Sequence, residues 1–316
     1  MTYKVAIQMD HISTIDINGD SSFLIATEAQ KRGYKLYHYE PKDLFYKKNL
    51  VLAKVQKLTL KNVVGAHFNL GPIEQVNLKD FDVILMRQDP PFNMSYIATT
   101  HLLDLLDEKT LIVNNPTEVR NSPEKLFMLR YNDIIPPTLI SHDISLIKSF
   151  RKEYKNIIIK PLFGNGGAGV FHINETNENL NVIVEMFSEI NDEPLMIQKY
   201  IPDVRKGDKR IILVDGIAVG ATNRIPKAGE ARSNMHVGGK AEKTIITDQE
   251  YELCSKIGPD LKSRGIIFAG IDVIGGYLTE INVTSPTGLQ EINSFNNANL
   301  ESEIWNCIEN HLQKGS

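Results

Sequence analysis

The stretch Asp272-Val-Ile-Gly-Gly-Tyr-Leu-Thr-Glu280-Ile-Asn282 places polar side chains inside two apolar segments near the C-terminus. Such segments are typical of buried β-strands, where charged groups are rarely found without partners. Two carboxylates and an amide carbonyl are hard oxygen ligands that suit Mg²⁺, which typically bridges to nucleotide phosphates. The stretch therefore predicts a metal site on paired strands, with Asp272, Glu280 and Asn282 as its ligands. The alternative is that these carboxylates pair with core arginines for structure alone.

The loop between the two strands determines whether the three ligands share one face. Glu280 and Asn282 are two positions apart, so they point to the same side of a strand. A two-residue turn at Gly275-Gly276 would place Asp272 opposite residue 279, and Glu280 would then face the other side. A three-residue loop that includes Tyr277 would place Asp272 opposite Glu280. We therefore predict an odd-length loop.

A glycine-rich segment, Gly164-Asn165-Gly166-Gly167-Ala168-Gly169, matches the pattern G-x-G-x-x-G. A dinucleotide site would require a helix directly after this pattern, but residues 170–173 alternate in the manner of a strand. A strand–loop–strand arrangement predicts a flap whose backbone N–H groups cover phosphates. Lys160 precedes the loop and Lys125 is a second candidate for the same phosphates. The alternatives are a merely flexible hairpin and, for Lys125, a solvated lysine.

The order of predicted elements indicates an α/β protein of more than one domain, since 316 residues exceed one usual core. Strands and helices alternate in the first third, which favours a parallel sheet with helices on its faces. We predict an N-terminal α/β domain over 1–121 and a second region over 122–316 that starts with Ser122 capping a helix and Pro123 at its first position. Within this region we place a central subdomain at 122–200 and a C-terminal subdomain at 201–316, with a polar loop at 224–240.

The composition is ordinary for a globular protein, with 42% apolar and 23% charged residues. A net charge of −4 and the lack of a long basic tract argue against nucleic acid as a partner. No apolar run is long enough to span a bilayer, and the first residues read as a strand and not as a signal peptide. Cys254 and Cys307 lie in helical patterns and are predicted to be buried reduced thiols of a cytoplasmic protein.

Several ordered motifs resemble the ATP-grasp fold and, within it, the bacterial glutathione synthetase family. The resemblance runs from the first strand to the last helix. The motifs are Met9-Asp10 with Asp20-Ser21-Ser22-Phe23, Met86-Arg87 with Asp89-Pro90-Pro91-Phe92, Glu124-Lys125-Leu126-Phe127, Gly207-Asp208-Lys209-Arg210, Arg224-Ile225-Pro226, and Glu280-Ile281-Asn282-Val283-Thr284-Ser285-Pro286-Thr287.

The resemblance implies an α/β ATP-grasp fold preceded by an N-terminal βαβ domain with a parallel sheet. It further implies a ligase that joins γ-glutamylcysteine to glycine with ATP and Mg²⁺, two ions being expected. The cysteinyl carboxylate would attack the γ-phosphate, and the glycine amine would then displace phosphate from the acyl phosphate. The family also implies a homo-oligomer, commonly a tetramer.

The resemblance also assigns roles to single residues. Arg210 is expected to stabilise the transferring phosphoryl group or the oxyanion, and Arg224 to hold a carboxylate or phosphate. A surface salt bridge is the alternative for each arginine. The expected nucleotide-binding residues are Lys125, Lys160, Gly164, Gly166, Gly167, Gly169, the hinge Gln198, Lys199, Tyr200 and Ile201, and Asp208 for the ribose. The expected substrate residues are Asp20, Ser21, Arg87, Asp89, Arg232, Ser285 and Thr287, with 224–240 as a mobile lid.

Two features depart from the family pattern. Gln290 stands where the family usually has an arginine, and the segment 291–299 is rich in asparagine. These departures concern contacts with the peptide substrate and not the ATP chemistry. Another ATP-grasp carboxylate–amine ligase and a non-catalytic nucleotide-binding module are the remaining alternatives.

Overall fold

The computed structural model describes residues 2–107, 109–190, 192–229, 232–233 and 238–314. The described strands form three sheets of seven, four and five strands, which follow one another along the chain. In this part of the chain, no helix combines the length and the apolar character needed to cross a bilayer.

The first sheet has a parallel centre, as the sequence predicted. Its strands are β1 (Lys4–Gln8), β2 (Lys35–Tyr39), β3 (Leu44–Lys47), β4 (Leu50–Leu60), β5 (Phe68–Asn77), β6 (Val83–Met86) and β7 (Leu111–Val113). The order is β3-β4-β2-β1-β6-β7, and β1 is parallel to both β2 and β6. β3, β4 and β5 add an antiparallel flank.

Three helices accompany this sheet: α1 (Ser21–Lys31), α2 (Met94–Leu103) and α3 (Pro116–Asn121). Asp20 caps α1 by accepting a hydrogen bond from the Phe23 amide at 2.6 Å. Gly33, with φ +81°, follows the end of α1 as expected for a residue in the left-handed region.

The helix start predicted at Ser122 was wrong. Ser122 is the C-cap residue of α3, because its amide bonds to Val119 O, and its hydroxyl caps nothing. The following helix, α4 (Glu124–Phe127), has Pro123 at its N-cap and is only four residues long. The lysine at position 125 nevertheless lies in the first turn, as predicted.

The second sheet is antiparallel and has the order β10-β9-β11-β8. Its strands are β8 (Thr138–Ser141), β9 (Ile157–Pro161), β10 (Phe171–Ile173) and β11 (Leu195–Lys199), with helices α5 (Ile144–Tyr154) and α6 (Leu180–Ile190). β9 and β10 pair directly, so the glycine segment between them is the predicted hairpin flap.

The third sheet is also antiparallel and has the order β14-β13-β12-β15-β16. Its strands are β12 (Asp208–Val214), β13 (Ile217–Ile225), β14 (Lys240–Lys243), β15 (Phe268–Ile274) and β16 (Tyr277–Asn282). The accompanying helices are α7 (Asp248–Ser263), α8 (Leu289–Asn296) and α9 (Leu300–Lys314). Asp272 lies on β15 directly opposite Arg210 on β12, which brings these side chains to one site.

The β15–β16 hairpin pairs Asp272 with Glu280 as predicted, but not by the predicted loop. The loop has two residues, because Ile274 pairs with Tyr277. A β-bulge at Thr279 then shifts the register, so one residue of β16 is left unpaired and Glu280 returns to the face of Asp272. The Thr279 hydroxyl donates to Asp272 O at 3.1 Å, which holds the bulge in place.

The last helix connects the C-terminal sheet to the N-terminal one. Trp305 of α9 is fully buried, and its indole N–H donates to Ile25 O of α1 at 2.8 Å. Arg32 reaches Glu309 at 2.6 Å beside this contact. One cluster of buried apolar residues therefore includes side chains from both ends of the chain.

Candidate active site

One pocket lies between the second and the third sheet, where the flap, the end of β11 and the hairpin β15–β16 meet. Its lining includes Lys125, Lys160, residues 164–168, Gln198, Lys199, Tyr200, Ile201, Asp208, Arg232, Asp272 and Glu280. Most of the residues that the sequence assigned to the nucleotide are thus brought together. Gly169, Arg210, Arg224 and Asn282 are not among the lining residues.

Two buried lysines share one carboxylate at the floor of the pocket. Lys125 Nζ and Lys160 Nζ each lie 3.7 Å from Glu280 Oε1. Lys125 Nζ also donates to Gly164 O at 2.5 Å, which connects α4 with the flap. Burial lowers the pKa of Lys160, and the attraction of Glu280 opposes this effect. Two ammonium groups against one carboxylate leave an excess positive charge that suits phosphate oxygens.

Asp272 is held by two arginines. Arg210 binds it in a bidentate manner, Nε to Oδ1 at 2.5 Å and Nη2 to Oδ2 at 2.9 Å, and Arg224 Nη2 lies 3.0 Å from Oδ1. Burial disfavours the charged carboxylate, but the arginines outweigh it and hold the pKa of Asp272 below its usual range. Both arginines are themselves buried, so the surface salt bridge considered for each of them does not apply.

The three oxygen-bearing side chains suit a magnesium ion by type, and the hairpin brings them to one face of the sheet. Asp272 and Glu280 are paired across the hairpin, and Asn282 Nδ2 lies 3.5 Å from Asp272 Oδ2. The assignment of amide N and O can be exchanged, so the same position can offer the carbonyl oxygen. Asp272 is also paired with buried arginines, which is the alternative that the sequence left open. The donor set of two carboxylates and one amide is nevertheless that of a Mg²⁺ site.

Asp208 and Arg224 form a second buried pair next to the first. Arg224 Nη2 donates to Asp208 Oδ2 at 2.7 Å, and the Ser233 hydroxyl donates to the same oxygen at 2.6 Å. Burial raises the pKa of Asp208, against the attraction of Arg224. Asp208 Oδ1 is buried and has no hydrogen-bond partner in the described part of the chain. A buried acceptor of this kind calls for a donor that a ligand can supply.

The flap glycines adopt backbone conformations that other residues avoid. Gly166 and Gly167 have φ of +62° and +80°. A Cβ at Gly167 would meet Arg232 Cδ at 3.1 Å, which brings the flap and the 224–240 loop into contact. Gly169 has φ +70° and packs against Pro161 and Phe187, so it shapes the flap from outside the pocket.

The polar residues of the N-terminal sheet contact the segment after β16. Arg87 is buried. It donates one hydrogen bond from Nε to the Ser22 hydroxyl and another from Nη2 to Pro286 O, each at 2.9 Å. The Ser285 hydroxyl donates to Asp89 Oδ1 at 2.8 Å. Arg210 Nη1 approaches Thr287 O at 3.4 Å. These contacts extend the site from Asp272 and its arginines to the N-terminal sheet.

The start of α8 packs on the start of α1. The Leu289 amide donates to the Ser21 hydroxyl at 3.4 Å, and Gln290 Nε2 donates to Ile17 O at 2.8 Å and to Asp20 O at 3.3 Å. Gln290 therefore holds backbone carbonyls of the loop that carries Asp20.

The asparagine-rich segment 291–299 has a structural explanation. The Asn293 side chain donates to Glu301 and accepts from the Leu300 amide at 3.0 Å, which fixes the α8–α9 corner. Asn297 takes the left-handed conformation at the end of α8, where asparagine is well tolerated.

Glu124 belongs to this site and was not singled out from the sequence. Its carboxyl accepts from the Thr284 hydroxyl at 3.5 Å. Burial, with the nearby charge of Glu280, raises the pKa of Glu124 to about 7. The signal in the sequence was its place beside Lys125 in an otherwise apolar turn.

Part of the expected lid lies outside the described residues. Of the stretch 224–240, positions 230–231 and 234–237 are not described. Arg232 lines the pocket, and Ser233 contacts Asp208.

Family models match nearly the whole chain. Residues 3–120 match the prokaryotic glutathione synthetase, N-terminal domain, and residues 124–297 match the prokaryotic glutathione synthetase, ATP-grasp domain.

Curated relatives of the chain are named glutathione synthetase. The chain is 52% identical to the glutathione synthetase of Mesorhizobium japonicum, over 98% of this chain and 99% of the relative. It is 54% identical to that of Agrobacterium fabrum, over 97% and 96%, and 41% identical to that of Escherichia coli K12, over 98% and 99%.

Solved structures with low sequence identity support the fold. The D-cycloserine synthetase DcsG superposes with a TM-score of 0.68 at 12% identity, with 99% of this chain and 100% of that chain covered. The D-alanyl-alanine synthetase A of Vibrio cholerae superposes with a TM-score of 0.65 at 14% identity, with 98% of each chain covered. An ATP-grasp ligase, PsnB, described in complex with Mg and ADP, superposes with a TM-score of 0.62 at 15% identity, with 98% of this chain and 98% of that chain covered.

Proposed function

The chain belongs to the prokaryotic glutathione synthetase family, and we propose that it ligates γ-glutamylcysteine to glycine with ATP through an acyl phosphate. The products are glutathione, ADP and phosphate. The observation that carries the proposal is the pair of lysines, Lys125 and Lys160, beneath a glycine flap and beside Glu280. Their excess positive charge suits a nucleoside triphosphate. The ATP-grasp fold implies ATP binding.

The nucleotide is held by backbone groups and by the two lysines. N–H groups of the flap cover the phosphates, and the ammonium groups neutralise them. The backbone of Gln198–Ile201 at the end of β11 binds the adenine edge. Asp208 Oδ1, which has no partner in the described part of the chain, accepts a hydrogen bond from a ribose hydroxyl.

Asp272, Glu280 and Asn282 hold magnesium, and we propose two ions. A cation held there would neutralise the charge that develops on the phosphate oxygens. Arg210 and Arg224 keep Asp272 ionised, and an ionised carboxylate is the form that binds a cation.

Arg210 and Arg224 act on the reacting groups. The cysteinyl carboxylate attacks the γ-phosphorus, and ADP leaves with the bond electrons. The glycine amine then attacks the acyl carbon, loses its proton and expels phosphate. Arg210 lies between Asp272 and Thr287 O, where it can stabilise the developing oxyanion. Arg224 binds a carboxylate or phosphate oxygen on the same side.

The substrate lies toward the N-terminal sheet. Arg87 carries a buried positive charge whose hydrogen bonds, to Ser22 and Pro286, are to neutral groups. The carboxylates of Asp20 and Asp89 attract this charge, but burial still lowers the pKa of Arg87, so a substrate carboxylate that hydrogen-bonds to the guanidinium stabilises its charged form. Asp20, Ser21, Asp89, Ser285 and Thr287 complete the binding surface, and Arg232 approaches from the 224–240 lid, which keeps water from the acyl phosphate.

The wider organisation follows the same proposal. We assign the substrate-side domain to residues 1–121 and the ATP-grasp region to residues 122–316, with a division into two subdomains at residue 200. We further propose that the chain assembles as a tetramer. Cys254 and Cys307 are free thiols, in keeping with a cytoplasmic location. Light scattering on the purified chain measures the assembly directly.

A coupled ADP-release assay tests the reaction. Turnover is expected only when γ-glutamylcysteine, glycine, ATP and Mg²⁺ are all present, and mass spectrometry should find glutathione. Turnover with a different acid–amine pair, but not with this one, would point to another carboxylate–amine ligase. ADP binding without turnover of any pair would favour a binding module.

A further inference from the structure

Asp215, Cys307 and His311 form a cluster outside the active site. Cys307 and His311 are four residues apart on α9 and share one face of that helix, and Asp215 lies in the turn between β12 and β13. One ligand atom from each residue lies within 4.8 Å of the other two. We propose that this cluster is a binding site for a transition metal ion of the zinc type.

The donor set suits zinc. A thiolate, an imidazole and a carboxylate are all zinc ligands, and three protein ligands leave a fourth position for water. Bond lengths of about 2.0 to 2.3 Å in a tetrahedron put neighbouring ligand atoms roughly 3.3 to 3.8 Å apart. His311 Nε2 lies 3.2 Å from Asp215 Oδ1, which is already close to this spacing. The Cys307 thiol lies within 4.8 Å of both of these atoms, so a shift of about 1 Å or less brings it to the tetrahedral spacing.

The backbone that carries the ligands is well fixed. Asp215 and Gly216 have φ of +49° and +80°, as in the tight turns that suit an Asp-Gly hairpin. Gly216 packs on the backbone of α7, where a Cβ would meet Gly258 O at 2.3 Å. The side chains of Asp215 and His311 are 22% and 32% exposed, so an ion can reach them from solvent.

Lys262 would compete with a metal ion for the Asp215 carboxylate. Its ammonium lies 2.6 Å from Asp215 Oδ2, on the oxygen that does not contact His311. Because this cation repels a metal ion, removing it should tighten binding. A cluster that only packs the helix would show no such response.

The expected effect of the ion is on the attachment of α9. Asp215 directly follows the end of β12, five residues beyond Arg210, which is roughly 16 Å at about 3.3 Å per residue. Zinc at Asp215 therefore bridges α9 and the β12–β13 hairpin without touching the active site.

The test uses the full chain without an affinity tag, stripped with chelator, and Zn²⁺ or Co²⁺ alone as the probe. Calorimetry with Zn²⁺ should give one high-affinity equivalent per chain, and the melting temperature should rise. Co²⁺ should give a thiolate charge-transfer band. Cys307→Ser should abolish the band, whereas Cys254→Ala, at the other thiol, should leave it. His311→Asn should weaken binding at least tenfold, and Lys262→Met should tighten it by a similar factor.

Two results would overturn the proposal. One is the lack of any thiolate band or zinc equivalent in the folded chain. The other is zinc binding that Cys307→Ser leaves unchanged, which would assign the ion to the oxygen ligands of the active site. Ligase activity with Mg²⁺ and ATP verifies that each variant is folded.

Discussion

At the scale of single residues, the site depends on charges that compensate one another. Lys125 and Lys160 converge on Glu280, and Arg210 and Arg224 converge on Asp272. Each carboxylate therefore lies next to cations that the chain itself supplies. We expect a ligand with phosphates and a metal ion to replace these internal partners with its own charges.

Replacing Lys160 by methionine should weaken ATP binding while the fold is kept. A charge-assisted hydrogen bond contributes about 1.5 to 3 kcal/mol, which corresponds to roughly a 10- to 150-fold rise in the KM for ATP. Lys152→Met, at an exposed position of α5, is the matched control. An unchanged KM in Lys160→Met would remove the lysine from the phosphate site.

Glu124 should make stability depend on pH. Its pKa is about 7 in the folded chain and near 4.5 when unfolded, so the folded chain binds the proton more tightly. Stability from this group is therefore present at low pH and lost as the pH rises from about 4.5 through 7. The difference is at most about 3 to 4 kcal/mol, since one pKa unit corresponds to about 1.4 kcal/mol.

Glu124→Gln measures this contribution. Urea unfolding of the ligand-free chain should show the variant gaining stability over the natural chain at pH 8 relative to pH 5. Glu185→Gln, on the exposed face of α6, should show no such pH dependence. Equal differences at both pH values for Glu124→Gln would contradict the assignment.

At the scale of elements, the flap and the end of α1 offer a comparison. Gly167 and Gly33 have nearly the same φ, +80° and +81°, in very different places. Alanine in this conformation costs about 1 to 2 kcal/mol. Gly33→Ala should lower the unfolding free energy by about this amount and leave the KM for ATP unchanged. Gly167→Ala should instead raise the KM for ATP, because the strain and the contact with Arg232 fall on the flap.

Melting curves and ATP titrations of both variants distinguish the two effects. A rise in KM for Gly33→Ala would show that the assay reports general destabilisation. An unchanged KM for Gly167→Ala would mean that the flap does not need its left-handed conformation to bind nucleotide.

Elements also show how far the sequence could predict the structure. The strand after the flap followed from alternation, which is a local property. The pairing of Asp272 with Glu280 was predicted through an odd-length loop, and that loop was wrong: the pairing arises from the bulge at Thr279. The bulge could not be predicted, because it depends on how β16 fits against β15 and not on the turn residues. The sequence around Ser122 is typical of an N-cap, but its backbone N–H bonds to Val119 O and ends the preceding short helix. The surroundings of Glu124 could not be predicted from the sequence either, since its partner Thr284 is 160 positions away.

At the scale of the whole molecule, α9 should make the two ends of the chain unfold together. Ile304 is fully buried beside Trp305, and Ile304→Ala should cost about 2 to 5 kcal/mol. Trp305 is the only tryptophan, so its fluorescence reports on the α9–α1 contact, and circular dichroism reports on the whole chain. Both urea transitions should shift to the same lower midpoint. Ile190→Ala, at an exposed position, should shift neither. A shift of the fluorescence transition alone would show that α9 detaches independently.

The packing of Trp305 on Ile25 also has a consequence for biosynthesis. The first helix is made early, but the residue that covers it is translated about 280 positions later. At roughly 5 to 20 residues per second, this interval is about 15 to 60 s. During that time the nascent chain on the ribosome carries an uncovered apolar face on α1. The chain can complete its N-terminal domain only after its last helix has left the ribosome, so chaperone binding during synthesis should concentrate on this face.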